Sequence, residues 1–367
     1  MGYIGEQSGQ RIGDNPEPLS FDLPMPAPIT ALDWRGPLAA AVRDELDQKT
    51  KPPGSLGRLE ALALQLALIQ NRPLPAIESC RSMVFAGDHA VAVEGVAPYP
   101  QAVTQQMVRN FLGGGAAIAV LSRQLGCELH VVDCGILQPL PEHPQLLQRR
   151  LGAGCASLLS GPALTPEQVA QALGNGAGLA ALLPADAYVF GEMGIGNSTS
   201  AAALMHASTG LDPAHCAGRG TGLDDAGLAR KIEVVRAAVA NQGRSEDAHV
   251  LLSRFGGFEI ATLCGAMLGA AAARGVVLVD GFIATAAAAM ALRMQPVLRD
   301  YLVFAHVSAE APHARWLQQL GVRALFDLDL RLGEGSGAVL AVPLLRAACA
   351  LLSEMATFAS AGVAERA

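Results

Sequence analysis

The chain has 367 residues, 51% of them hydrophobic and 16% charged, with a formal net charge of -7. That apolar content supplies the core of an ordinary soluble enzyme, larger than a single small domain needs, and the sparse, net acidic charge excludes nucleic acid or an anionic membrane as the main partner. Seven cysteines, scattered and never in a C-x-x-C pair, exclude a disulfide framework or zinc ribbon and fit reduced thiols in a cytoplasm.

Residues 1–36, rich in Pro, Gly and Gln, lack the basic-then-apolar pattern of a secretory signal and read as a loose N-terminal extension. Residues 38–48 and 56–70 follow as amphipathic helices, with Pro37 suited to the first helical position. Between them, Pro52 and Pro53 stop one element, Gly54 turns the chain and Ser55 caps the next, leaving Arg58 free to face a cleft or a partner subunit. Short apolar runs then alternate with longer helical patterns. The strand candidates are 82–86, 128–132, 187–190, 276–279, 301–305 and 324–328.

This alternation is the pattern of an α/β fold, a doubly wound and mainly parallel sheet with flanking helices of Rossmann-like type. Residues 152–166 form its longest expected loop, and Asp224-Asp225 is placed to cap a helix over 226–240. The alanine-rich stretch 264–294 is interrupted by Arg274, Gly275 and Asp280, so it reads as helix, strand and helix rather than a membrane span. Residues 338–358 form a last long helix. Segment 37–75 with 338–360 is therefore expected to make a small helical domain, and 76–337 the large catalytic one.

Polar residues collect just past the strand ends: Gly87-Asp88-His89, Asp133-Cys134-Gly135, Gly191-Glu192, Asp280-Gly281 and the segment from His306 to Glu310. In an open parallel sheet the ligand crevice lies there. Two of the following loops are rich in glycine and open helices: Gly191-Glu192-Met193-Gly194-Ile195-Gly196-Asn197-Ser198-Thr199-Ser200, and Arg331-Leu332-Gly333-Glu334-Gly335-Ser336-Gly337-Ala338. Each presents one carboxylate beside backbone N–H groups able to approach an anion, which points to acid/base chemistry on a phosphorylated substrate. Taken alone, the first could be a turn in which Ser198 or Thr199 caps a helix, and Glu334 a solvated loop residue.

Other chemistries fit less well. Gly194-x-Gly196-x-x-Thr199 lacks the third glycine of a dinucleotide fingerprint. Asp224-Asp225 follows a glycine-rich turn, not the apolar strand that precedes the acidic pair of pyrophosphate-type phosphoribosyltransferases. Asp88, His89 and His306 lie far apart, and no H-x-x-x-H or H-E-x-x-H spacing occurs, so structural or supporting roles are favoured over metal binding.

From about Leu38 to the C-terminus the chain resembles the nicotinate-nucleotide–dimethylbenzimidazole phosphoribosyltransferase family. The likeness is carried by Lys51-Pro52-Pro53-Gly54-Ser55-Leu56-Gly57-Arg58-Leu59-Glu60, Gly87-Asp88-His89, the loop from Gly191 to Ser200, Gly256-Gly257-Phe258-Glu259, Asp280-Gly281-Phe282, Ser308-Ala309-Glu310 and the run from Arg331 to Ala338. It implies transfer of the 5-phosphoribosyl group of nicotinate mononucleotide to 5,6-dimethylbenzimidazole, by a homodimer without metal or cofactor. The products would be nicotinate and α-ribazole 5′-phosphate, for the cobalamin nucleotide loop.

By that resemblance Glu334 is the general base and the configuration at C1′ inverts. Gly194, Gly196, Asn197 and Ser198 on one loop, and Gly335, Ser336 and Gly337 on the other, would hold the phosphate. Lys231 would serve the nucleotide, Glu192 would position substrate, and Ser308 would contact phosphate or ribose. Some relatives have a small hydroxyl residue in place of Tyr99 and a Gln in place of Met107, so these two are expected to shape the acceptor pocket. The alternative is a non-catalytic nucleotide-binding regulator of the same fold.

Overall fold

A computed structural model describes residues 27–364. Most of the expected extension, 1–26, lies outside the described residues. The part within them is tied down: Ile29 and Leu32 are buried, and the Tyr301 hydroxyl donates to the Thr30 carbonyl at 2.8 Å.

Six strands form one sheet, β1 (Cys80–Gly87), β2 (Glu128–Gly135), β3 (Leu146–Gln148), β4 (Ala187–Met193), β5 (Val276–Val279) and β6 (Leu302–Phe304). Every neighbouring pair is parallel, and the order is β3-β2-β1-β4-β5-β6. The order reverses direction between β1 and β4, and a doubly wound sheet opens its crevice beyond the strand ends at that point. β1, β4 and β5 are nearly continuous apolar runs because helices cover both faces.

The helices that matter below are α1 (Pro37–Gln48), α2 (Arg58–Gln70), α3 (Ala102–Leu112), α4 (Pro166–Ala177), α5 (Asn197–Thr209), α6 (Asp225–Gln242), α7 (Phe258–Ala272), α8 (Phe282–Met294), α9 (Ser336–Val339) and α10 (Val342–Glu354). Every residue of α7 from Phe258 to Ala271 is buried, since it lies between the sheet and α4. Its Gly265 and Gly269 face the Leu173 and Ala177 carbonyls so closely that no Cβ fits. α6 opens as expected, the Asp224 carboxylate accepting from the Gly227 N–H at 2.8 Å.

Four expectations change. The 324–328 run does not join the main sheet, because it pairs as β8 (Phe326–Asp327) with the short β7 (His306–Val307) beside the cleft. The last long helix is two helices: Pro343 has no N–H to donate, and its ring opposes the carbonyl of Val339, where α9 ends. Together the 19 residues from Ser336 to Glu354 are apolar and long enough to cross a membrane, yet more than half of the stretch is buried inside the fold. Ser55 does not cap α2, whose N-cap is Gly57; Glu60 instead accepts from the Leu56 N–H and pairs with Lys51, each at 2.9 Å. Arg58 is not free, since its guanidinium donates to the carbonyls of Arg323 and Ala324.

α1 packs on α2 and α2 on α10, and their buried side chains continue into the cluster around the sheet. Arg274 fastens α2 by donating to the Ile69 and Leu68 carbonyls at 2.7 and 2.8 Å. The α7–α4 contact makes a test of this packing. Gly265→Val drives a side chain into the α4 backbone and is expected to cost about 2–4 kcal/mol in urea unfolding. Gly174→Ala, on α4 with open space around it, should be neutral or stabilise by up to about 1 kcal/mol.

Candidate active site

A cleft lies at the C-terminal ends of β4 and β5, enclosing about 690 Å³ of space, part of it open to solvent. Glu192, Gly194, Asn197, Ser198, Ser308 and Glu334 line it, so the structure brings six of the expected site residues together. Its walls also carry Met193, Ile195, Phe282 and Leu332, an apolar surface suited to a flat ring.

Asp280, the residue after β5, organises the second loop. Its carboxylate accepts from the Ala338 N–H at 2.8 Å and the Gly335 N–H at 3.2 Å, and lies 3.4 Å from His306 Nε2. Burial alone would raise its pKa; His306 and the two N–H groups outweigh that and hold it below the ordinary carboxylate value. The loop it grips runs through Gly333, Glu334 and Gly335, all with positive φ, at 80°, 64° and 85°. For Glu334 that conformation is strained. The Cα of Gly191 in β4 lies against the Glu334 carbonyl, leaving no room for a Cβ.

Glu334 is 6% exposed, and its Oε2 has no hydrogen-bond partner. Burial, and secondarily the charge on Asp280, push its pKa up to about 7. Glu192 goes further, to about 8: burial dominates, Asp280, Glu259 and Glu334 add to it, and a hydrogen bond from the Asn197 side chain opposes it. Near neutral pH the cleft therefore holds an ionised Asp280, a mostly protonated Glu192 and a Glu334 poised between the two forms.

The first loop enters α5 through Gly196, φ 102°, with no side-chain cap. Capping by Ser198 or Thr199 is thus ruled out. The Ser198 hydroxyl instead accepts from Lys231 Nζ at 2.8 Å. Lys231, on α6, is fully buried, donates also to the Gly218 carbonyl at 3.1 Å, and has its pKa lowered by burial to about 8 against the pull of Glu310. It stands behind Ser198 rather than on the cleft wall. Ser308 is fixed from below, its N–H donating to His313 Nδ1 at 2.8 Å while His313 Nε2 faces Thr285 Oγ1 at 3.0 Å. Burial keeps His313 neutral, with a pKa of about 4.

Three placements differ from expectation. Gly335, Ser336 and Gly337 do not line the cleft. Asp280 already occupies the Gly335 and Ala338 N–H groups, and the Ser336 N–H donates to Gly333 at 3.0 Å, while the buried Ser336 hydroxyl has no partner. Gly196 lies behind the wall, with His89 and Ala92 against its Cα. Tyr99 and Met107 do not reach the cleft: Tyr99 is 51% exposed and Met107 packs half-buried on the core. Their segment acts through other atoms, with Thr104 Oγ1 accepting from the Ile195 N–H at 3.1 Å and Gln101 donating to the His89 carbonyl at 2.8 Å.

His89 takes a supporting place. Its Nε2 lies 2.6 Å from Glu259 Oε1 and its Nδ1 3.0 Å from Ser200 Oγ, joining the end of β1, α7 and α5 beneath the cleft. Among the described residues no group of His, Cys, Asp and Glu could hold a metal ion. Sequence reasoning left out Asp280 as a functional residue, although its place just past β5 was the available signal. It also left out Gly220, whose N–H donates to Glu310 at 2.9 Å and which borders the cleft.

Fold and cleft together define a doubly wound α/β enzyme. A phosphoribosyltransferase family model matches residues 34–363. The chain is 51% identical to the nicotinate-nucleotide–dimethylbenzimidazole phosphoribosyltransferase of Variovorax paradoxus, over 90% of this chain and 95% of that protein. It is 53% identical to the enzyme of the same name from Cupriavidus necator, over 89% and 96%. The crystal structure of CobT from Thermus thermophilus superposes with a TM-score of 0.87 at 45% identity, covering 90% of this chain and all of that one. The chain belongs to this phosphoribosyltransferase family, which sets aside the reading as a non-catalytic regulator.

Two measurements test the site. Gly191→Ala is expected to displace Glu334 and lower kcat by about 100-fold, with circular dichroism unchanged. Because the folded state prefers protonated Glu192, its contribution to stability is complete below the ordinary carboxylate pKa and is lost as pH rises through about 8. Glu192→Gln should therefore flatten the fall in melting temperature between pH 5 and about 9.

Proposed function

We propose that this enzyme transfers the 5-phosphoribosyl group of nicotinate mononucleotide to 5,6-dimethylbenzimidazole, releasing nicotinate and forming α-ribazole 5′-phosphate for the cobalamin lower-ligand loop. The observation that carries this reading is the unpartnered, buried carboxylate of Glu334, poised near neutrality in a cleft with apolar walls. The names of the relatives supply the substrates.

The pyridinium nitrogen of the donor already bears positive charge, so nicotinate leaves with a neutral ring and needs no general acid. One base is sufficient. Glu334 accepts the N–H proton of the benzimidazole while the other ring nitrogen attacks C1′ from the face opposite the leaving group, inverting the configuration. The apolar walls hold the flat acceptor, and the orientation of both substrates supplies much of the remaining rate.

The phosphate is assigned to the first loop, at Gly194, Asn197 and Ser198 beside the N-terminus of α5, with the cation of Lys231 behind Ser198. Ser308 faces the ribose or phosphate. Protonated Glu192, held by Asn197, can donate a hydrogen bond to substrate without adding negative charge beside the anion. Assembly as a homodimer and residence in the cytoplasm belong to the same reading.

Incubation of the pure chain with both substrates should release nicotinate and α-ribazole 5′-phosphate, separable by chromatography; no release would reject the reading. A base must be ionised to act, so kcat/KM, which reports the free enzyme, should rise with pH through about 7. Glu334→Gln is expected to lower turnover by about 10²–10⁴-fold and remove that limb, while calorimetry shows nicotinate mononucleotide binding retained. Near-normal turnover in this variant would reject Glu334 as the base.

A further inference from the structure

The N-terminal ends of β1 and β2 lie about 25 Å from the cleft, one strand length away. Arg81 and Glu128 form the first paired rung between the two strands, which sets Cys80 and Cys127 side by side one residue earlier. Neighbouring strands run about 4.8 Å apart, within the Cα separation of about 4.4–6.8 Å that a disulfide spans. The two thiols are 2% and 6% exposed, and the Cys127 thiol donates to the Leu125 carbonyl at 3.8 Å.

Their surroundings favour reaction at one of them. The Ser82 hydroxyl, one rung past Arg81, accepts from Ser122 at 2.9 Å. Arg346, from α10, stands over the pair; its hydrogen-bond partners are carbonyls, Leu125 at 2.6 Å and Ile77 at 3.3 Å, not carboxylates. A guanidinium so placed stabilises a thiolate. The neighbouring Cys80 chiefly, then Arg346 and Ser82, hold the Cys127 thiol below its ordinary pKa against the effect of burial. Cys127 beside it, together with burial, keeps the proton on Cys80. Cys134, Cys216, Cys264 and Cys349 are shifted the other way, chiefly by burial.

We propose that Cys80 and Cys127 form an oxidation site at which a small peroxide closes a reversible disulfide between β1 and β2. The Cys127 thiolate sulfur attacks one peroxide oxygen, the O–O bond breaks, and the departing hydroxide takes a proton to leave as water. The Cys80 sulfur then attacks the sulfenic sulfur of Cys127; the S–O bond breaks and a second water departs with the Cys80 proton. Two thiols and one hydrogen peroxide thus give one disulfide and two waters.

The test treats the folded full-length chain with hydrogen peroxide, blocks remaining thiols by alkylation, and maps the digest by mass spectrometry. The expected result is a mass loss of about 2 Da, a peptide linking Cys80 to Cys127, reversal by dithiothreitol, and a melting temperature raised by about 2 °C or more. Cys80→Ser should stop the reaction at an oxygenated Cys127 with no cross-link, and Cys80→Ala serves if the serine impairs folding. The proposal is overturned if another cysteine oxidises first, if Cys127 gains oxygen without cross-linking in the unaltered chain, or if the mass does not change.

Discussion

One buried carboxylate holds the catalytic face together. Asp280, at the end of β5, takes two backbone N–H groups from the loop that carries Glu334, and His306 offsets part of the cost of burying its charge. Without that grip, three consecutive residues at positive φ would have no reason to persist, since Glu334 itself disfavours the conformation. Burial chiefly raises the pKa of Glu334 and of Glu192, and the same charge, acting across the cleft, adds to it. Geometry and proton affinity therefore both draw on Asp280.

The parallel sheet was legible because apolar runs bounded by Gly and Asp are how fully buried strands appear in sequence. Five of the six expected strands fall in the sheet, each near its expected place. The three-residue edge strand Leu146–Gln148 left no signal, being too short to show a period. The 324–328 run misled because its apolar residues pack against β7 and His306 stacks on Phe326, contacts made beside the cleft and not within the main ladder. Local pattern identifies an extended segment but not its partner.

The site was legible where the chemistry sits on one segment and obscure where it depends on segments meeting. Glycine around Glu334 signalled a special backbone, and the cleft uses it to turn the loop onto Gly191. Only the arrival of Asp280 from another strand decides that, and no spacing within residues 331–338 could reveal it. Lys231 is the same case in reverse: nothing along its own helix marks it, while in the fold it is buried with its ammonium group on Ser198. Tyr99 and Met107 were assigned by likeness alone, and their segment touches the cleft wall through Thr104.

An acidic cleft is an odd host for a phosphorylated substrate until the charge of the ring is counted. Under the proposed reaction the donor brings a pyridinium cation to the cleft that holds Asp280, Glu192 and Glu334, and that cation favours ionised Glu334, the form a base requires. As the glycosidic bond breaks, the ring becomes neutral and the stabilising charge disappears. The proton affinity of Glu334 then returns toward the higher value set by burial and Asp280, at the stage when the acceptor must give up its proton. Under that proposal the crowded carboxyl groups couple departure of the cationic ring to proton uptake, while the phosphate stays apart, near the cation of Lys231.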